Sequence, residues 1–219
     1  MREKDIKNRE KYQFTRNWFL NRNLDTFRNF VLPTWENKPI TYLEIGVFEG
    51  MSLTWMLQYV LTHPDARAVG IDPWLVTTKL SGDIMEQVMS RALYNVSTAG
   101  KAWASLPGIE HVVYKGSLVR GNSAEVLRIM NSRGLLGISR NSVDLCMIDG
   151  NHNDYAAYDD AEQCLPLVKP GGWLLFDDVE NQVTKKRHVK QGLEMFVKDY
   201  RDKVNFIWKD RYMECFEVL

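Results

Sequence analysis

Tyr42-Leu43-Glu44-Ile45-Gly46-Val47-Phe48-Glu49-Gly50 is the stretch whose reading decides the fold. Ile40, Tyr42, Leu43 and Ile45 supply an apolar strand, and Gly46 follows as a turn. From about Ser52 the apolar residues Leu53, Met56, Leu57, Val60 and Leu61 recur at helical spacing. A strand, a glycine turn and a helix begin an open parallel sheet, in which ligands bind beyond the carboxyl ends of the strands. Gly46 lets the backbone turn and lets a ligand approach without a Cβ in the way. Gly50 lets the next helix start close against the strand. Glu44 puts a carboxylate beside the gap, which suits a ligand with cationic or hydroxyl groups better than one with phosphates. The G-x-G-x-x-G dinucleotide fingerprint is absent here.

Downstream, the strand-helix alternation repeats. Residues 66–71 form a second strand ending at Asp72-Pro73-Trp74. A carboxylate at that tip can accept from both hydroxyls of a ribose, and Asp72 can equally cap the turn before Pro73. Residues 81–100 read as a helix with a glycine stop, a candidate substrate wall. His111 to Lys115 reads as the third strand, closing on Gly116-Ser117, which leaves room for an adenine edge. Asn122 or Ser123 caps a helix that Gly134 ends. The fourth strand, Val143 to Ile148, ends at Asp149-Gly150-Asn151-His152. After a helix from about Asp154, the fifth strand, Trp173 to Phe176, ends at Asp177-Asp178. A basic helix from Lys185 to Tyr200 precedes strands at 204–208 and 213–219, joined too tightly for a crossover and so paired as a hairpin. This pattern predicts a mostly parallel sheet with helices on both faces and one antiparallel strand.

The N-terminal 37 residues read as a helical cover or lid over a single domain spanning 38–219. Residues 1–12 are polar and expected to fray. Apolar positions from Phe14 to Val31 follow helical spacing, and Pro33 is expected to end that segment. With 28 basic and 28 acidic residues among 219, the chain shows no charge excess that would favour nucleic acid or an anionic membrane. The three cysteines, Cys146, Cys164 and Cys215, lack metal-type spacing and read as buried thiols. The charged N-terminus has no signal-peptide core, so a soluble cytoplasmic protein is expected. The hydrophobic N-terminal helix also leaves room for a homo-oligomer contact.

Four blocks, Glu44-Ile45-Gly46-x-x-x-Gly50, Gly70-Ile71-Asp72-Pro73, Asp144-Leu145-x-x-Ile148-Asp149-Gly150-x-His152 and Leu165-x-x-x-Lys169-Pro170-Gly171-Gly172-Trp173-x-x-Phe176-Asp177-Asp178-Val179, occur in one order. Together they resemble small class I S-adenosylmethionine (SAM) dependent O-methyltransferases, above all the macrocin-O-methyltransferase-like branch. The resemblance covers roughly residues 38 to 219. It implies an α/β, Rossmann-like class I methyltransferase fold with a seven-stranded, mostly parallel sheet and a C-terminal antiparallel hairpin. It also implies SAM contacts from Glu44, Gly46, Gly50, Ser52, Asp72, Gly116, Ser117 and Asp149. A magnesium ion on Asp149, Asp177 and Asp178 follows from the same likeness. His152, on the loop three residues after Asp149, can take the hydroxyl proton as a general base because a neutral imidazole titrates in the useful range, which makes Asp149 and His152 the candidate catalytic residues. The implied acceptor is a small-molecule hydroxyl of sugar or phenolic type. Catechol-type relatives differ, carrying an Asp-Asn pair in place of Asp177-Asp178 and a lysine base. The alternatives are a metal-independent methyltransferase acting on nitrogen or a carboxylate, and a non-catalytic SAM-fold binding module.

Overall fold

A computed structural model describes residues 6–75, 82–106, 109–180 and 188–219. Its central sheet contains β1 (Thr41–Ile45), β2 (Arg67–Asp72), β5 (Gly116–Arg120), β6 (Val143–Ile148), β7 (Val168–Phe176), β8 (Val204–Asp210) and β9 (Met213–Val218), in the spatial order β5-β2-β1-β6-β7-β9-β8. β5, β2, β1, β6 and β7 run parallel, and β9 pairs antiparallel with both β7 and β8. This is the class I methyltransferase arrangement. The strand order reverses between β1 and β6, so the tips of β2, β1, β6 and β7 line one edge.

Side chains alternate across the strands and feed two cores. Tyr42, Leu145 and Met147 face α4 (Met51–Tyr59), α5 (Gly82–Gly100) and the N-terminal segment. Leu43, Ile45 and Cys146 face α6 (Ser123–Arg133), α7 (Asp154–Cys164) and α8 (His188–Asp199). The three cysteines are buried and free. Among the described residues no helix is long and apolar enough to cross a membrane.

The N-terminal helices are α1 (Trp18–Arg22), α2 (Leu24–Thr26) and α3 (Leu32–Trp35), with a π-helical turn Phe27–Val31 before α3. Phe27 and Val31 are fully buried, and each contributes about 1.5–3 kcal/mol of apolar burial. Residues 6–12 do not fray as expected. Ile6 is buried, and the Lys7 N–H donates to Gln58 Oε1 at 2.9 Å. Pro33 does not end the helix either. It sits in the first turn of α3, where its missing N–H costs no bond.

The expected third strand was also misplaced. Residues 111–115 fall largely in β4 (Ile109–Tyr114), which pairs antiparallel with β3 (Lys101–Leu106) as a separate two-stranded ribbon. The central sheet instead takes β5, which starts at Gly116. A Cβ there would lie 2.6 Å from Val96 Cγ1 and 3.1 Å from Leu57 Cδ1, so only glycine lets the strand start this close beneath α4 and α5. Residues 185–187 of the expected basic helix lie outside the described residues, as does Ser81.

Candidate functional site

The β1 turn is fixed by a close approach to β6. Gly46 has φ +88°, and a Cβ on it would lie 1.9 Å from the Asp149 carbonyl oxygen. Glycine therefore draws the tips of β1 and β6 together. Gly50, at φ +75°, is the N-cap of α4, and a Cβ there would come within 2.9 Å of Val96 Cγ2.

Glu44 is wholly buried. Tyr42 Oη donates to its Oε2 at 2.7 Å, and Ser52 Oγ donates to its Oε1 at 2.6 Å. Burial pushes its carboxyl up to about 7, against the pull of the Ser52 and Tyr42 bonds, and the charges of Asp72 and Asp177 raise it further. Glu44 is thus buried and bonded within the fold rather than an open contact. A raised carboxyl favours the folded state while it stays protonated. Stability therefore falls as pH rises from the ordinary 4.5 to about 7, a loss on the order of 3 kcal/mol. Glu44→Gln keeps an acceptor for Tyr42 and removes that loss. Urea unfolding of the variant should show a shallower decline between pH 5 and 8 than the parent, the remainder coming from the raised carboxyls of Asp149 and Asp177, and more stability than the parent at pH 8.

Asp72 stands at the tip of β2, where its Oδ2 accepts from the N–H groups of Val47 and Phe48, both at 2.9 Å, and its Oδ1 from Trp74 N–H at 2.7 Å. Its turn-capping role is thus realised, and with both Oδ2 lone pairs taken only Oδ1 keeps one for a hydroxyl. Burial raises its carboxyl, and these backbone bonds oppose the rise. Trp74 is buried and donates its indole N–H to Phe48 O at 2.9 Å, so it belongs to the core and does not form an open stacking face.

Gly116 and Ser117 are not at this edge. The register places them opposite Ala68 and Val69, at the amino end of β5, while Arg120 lies beside Asp72. They cannot line a cleft at the carboxyl tips, and the adenine-edge role expected of them is withdrawn. Gly121 is the backbone neighbour there, its N–H donating to Asp72 O at 3.1 Å.

On the other side of β1 the acidic residues converge. Ligand atoms of Asp149, His152 and Asp178 lie within 4.8 Å of one another. His152 Nδ1 is 3.1 Å from Asp178 Oδ2, and its Nε2 is 3.6 Å from Asp149 Oδ1. Asp178 adopts φ +57°, a left-handed conformation aspartate tolerates better than most residues. Asp177, expected as a metal ligand, is outside that trio. Its Oδ1 accepts from Asp178 N–H at 2.7 Å and its Oδ2 from Asn23 Nδ2 at 2.6 Å.

Burial raises the Asp149 carboxyl well above its ordinary range, the Asp177 charge adds to this, and His152 opposes it. Burial and then the Asp178 charge push Asp177 up to about 6. The nearby Asp149 carboxyl in turn raises His152. The edge therefore carries crowded negative charge that a cation would relieve. The hard carboxylate oxygens of Asp149 and Asp178 fit a magnesium- or manganese-class ion, with the His152 imidazole beside them.

Sequence reasoning missed two residues. Arg22 pairs with Asp178 and lies 4.4 Å over the Tyr212 ring, and Asn23 holds Asp177. A signal was available for Asn23. It falls at i+4 from Phe19 and i−4 from Phe27, a polar residue on an otherwise buried stripe.

The sheet order and the acidic tips define a class I methyltransferase fold. The profile of the methyltransferase domain family matches residues 43–179, more than half of the chain, and the chain belongs to that family. Uncharacterized protein R132 of Acanthamoeba polyphaga mimivirus is 24% identical over 148 residues, 68% of this chain. The chain spans about half the length of that curated relative, 55%. Among solved structures, the O-methyltransferase TomG from Streptomyces achromogenes, involved in tomaymycin synthesis and in complex with SAM, is 20% identical, with 88% of this chain and 78% of that one covered at TM-score 0.55. The MycE methyltransferase from the mycinamycin biosynthetic pathway, in complex with Mg, SAH and mycinamycin VI, is 17% identical, with coverages of 95% and 51% at TM-score 0.54. An rRNA methylase from Streptococcus thermophilus is 9% identical, with coverages of 90% and 97% at TM-score 0.56. At these identities the likeness is one of fold.

Proposed function

We propose that this protein is a SAM-dependent O-methyltransferase that methylates a hydroxyl of a small molecule, of sugar or phenolic type, with help from a divalent cation. The observation that carries the reading is the convergence of Asp149, His152 and Asp178 beside the Gly46 turn. SAM supplies an electrophilic methyl on a sulfonium, and a bound cation lowers the pKa of the acceptor hydroxyl. Asp72 offers the remaining lone pair of Oδ1 to a hydroxyl, and the Gly46 turn lets a ligand come close to the backbone. Asp149 and Asp178 would hold the cation. His152 is half exposed and its Nε2 contact is the looser of its two, so Nε2 takes the hydroxyl proton as the methyl leaves sulfur for oxygen. The proton then passes to solvent.

Neutral net charge supports a small acceptor, and MycE, a fold relative, was solved with mycinamycin VI and Mg. The rRNA methylase among the fold relatives sets the counter-case. Methyl transfer from labelled SAM to a panel of sugar and phenolic hydroxyls should occur with magnesium, fall to background in chelator, and return when magnesium is restored. Transfer that persists in chelator sinks the cation-assisted mechanism. Labelling of RNA or of amines alone, with no labelled alcohol, sinks the acceptor class.

A further inference from the structure

The N-terminal segment enters the acidic edge at two points. Arg22, the last residue of α1, pairs with Asp178. Asn23, only 5% exposed, donates to Asp177, and its Oδ1 is buried with no hydrogen-bond partner. A buried carbonyl oxygen without a donor is costly unless something else fills its coordination. Asp178 is also one of the three residues whose ligand atoms converge. The guanidinium and a divalent ion therefore want the same carboxylate.

We propose that Arg22 is the built-in counter-cation of this site, that a divalent ion displaces it from Asp178, and that the ion then gains the orphan Asn23 Oδ1 as an oxygen donor. This rests on the cation reading given above. The exchange is local because both flanks are tied down. On one side Thr15 bonds Glu49, its N–H at 2.7 Å and its Oγ1 at 2.8 Å. On the other, Thr26 Oγ1 donates to Asp210 Oδ2 at 2.7 Å and Phe27 is fully buried. Between these anchors α1 is five residues long, lacks a side-chain N-cap and leaves Trp18 56% exposed. A released guanidinium keeps a seat over the Tyr212 ring. Arg22 thereby couples occupation of the ion site to the order of α1, which lies beside the cleft through the Trp18–Phe48 ring contact at 4.8 Å.

Calorimetric binding of magnesium to the full chain and to Arg22→Ala tests the competition. The variant should bind about tenfold more tightly, the scale of one lost charge-assisted bond, and Arg22→Lys should stay near the parent. Hydrogen exchange at amides 18–22 should quicken on adding magnesium to the parent. In Arg22→Ala it should already be fast and show no response. Equal magnesium affinity in parent and Arg22→Ala, or exchange that slows or does not change in the parent, overturns the proposal and leaves the cation site standing. Magnesium binding to neither protein overturns the cation site itself, and this proposal with it.

Discussion

Gly46→Ala should yield almost no folded protein, whereas Gly171→Ala should fold with a modest loss. Both glycines have positive φ, +88° and +80°. Alanine in the left-handed region costs roughly 1–2 kcal/mol at either site. What separates them is what the new methyl meets. At Gly171 nothing lies within 4 Å of the added carbon, so strain is the whole cost. At Gly46 it would sit 1.9 Å from the Asp149 carbonyl oxygen and 2.5 Å from its carbon, backbone atoms that cannot rotate away. Asp149 N–H is itself bonded to Ile45 O at 2.9 Å, so relief requires parting β1 from β6 at the centre of the sheet. A cost above about 4 kcal/mol consumes much of a typical domain's 5–15 kcal/mol. Urea unfolding of the two variants beside the parent measures the gap. Equal losses would show that conformational strain alone explains the glycine at position 46.

The strand tips were readable because each combined a local apolar run with an acid or a glycine immediately after it. Glu44, Asp72, Asp149 and Asp177 each follow a buried run of that kind, and sheet order alone then brings the tips together. Two things resisted reading. The sheet strand β5, Gly116–Arg120, is short and only half-buried, while residues 111–115 hold the β-branched and aromatic run Val112-Val113-Tyr114 and drew the assignment. Such a run reports a strand but says nothing about which sheet it joins. The second was the partnership of Arg22 and Asn23 with Asp178 and Asp177, across sequence separations of 156 and 154 residues. No local pattern encodes such a distant ion pair. Asn23 on the Phe19–Phe27 stripe hinted that the segment was not plain cover. Asp177 was placed correctly at the tip, but its hold on Asn23 could not be read from the sequence.

Asp149→Asn should lower kcat/KM for methyl transfer by about 10³-fold, within the 10²–10⁴ range of a lost acid–base partner, while making the protein harder to unfold. The two effects have one origin. Burial and the neighbouring charges raise the Asp149 carboxyl, so at pH 8 its ionised form costs the folded state free energy that a neutral amide does not. The same charge faces His152 Nε2 across 3.6 Å and supplies one of the three convergent ligand atoms. Asparagine keeps the shape but loses an anionic ligand and the charge that holds the imidazole. Magnesium affinity should therefore fall together with turnover. Asp160→Asn is the matched control. Asp160 is also buried and pushed up to about 6, and it bonds Ser123 beneath Gly150 on the sheet's other side. Its amide should gain stability in the same way yet leave turnover within about twofold, because Asp160 bonds Ser123 and supplies none of the three convergent ligand atoms. If both variants lose activity equally, the drop reflects general disturbance of the β6 end rather than chemistry at Asp149. If Asp149→Asn alone loses activity but binds magnesium unchanged, the carboxylate acts on His152 and not on the ion.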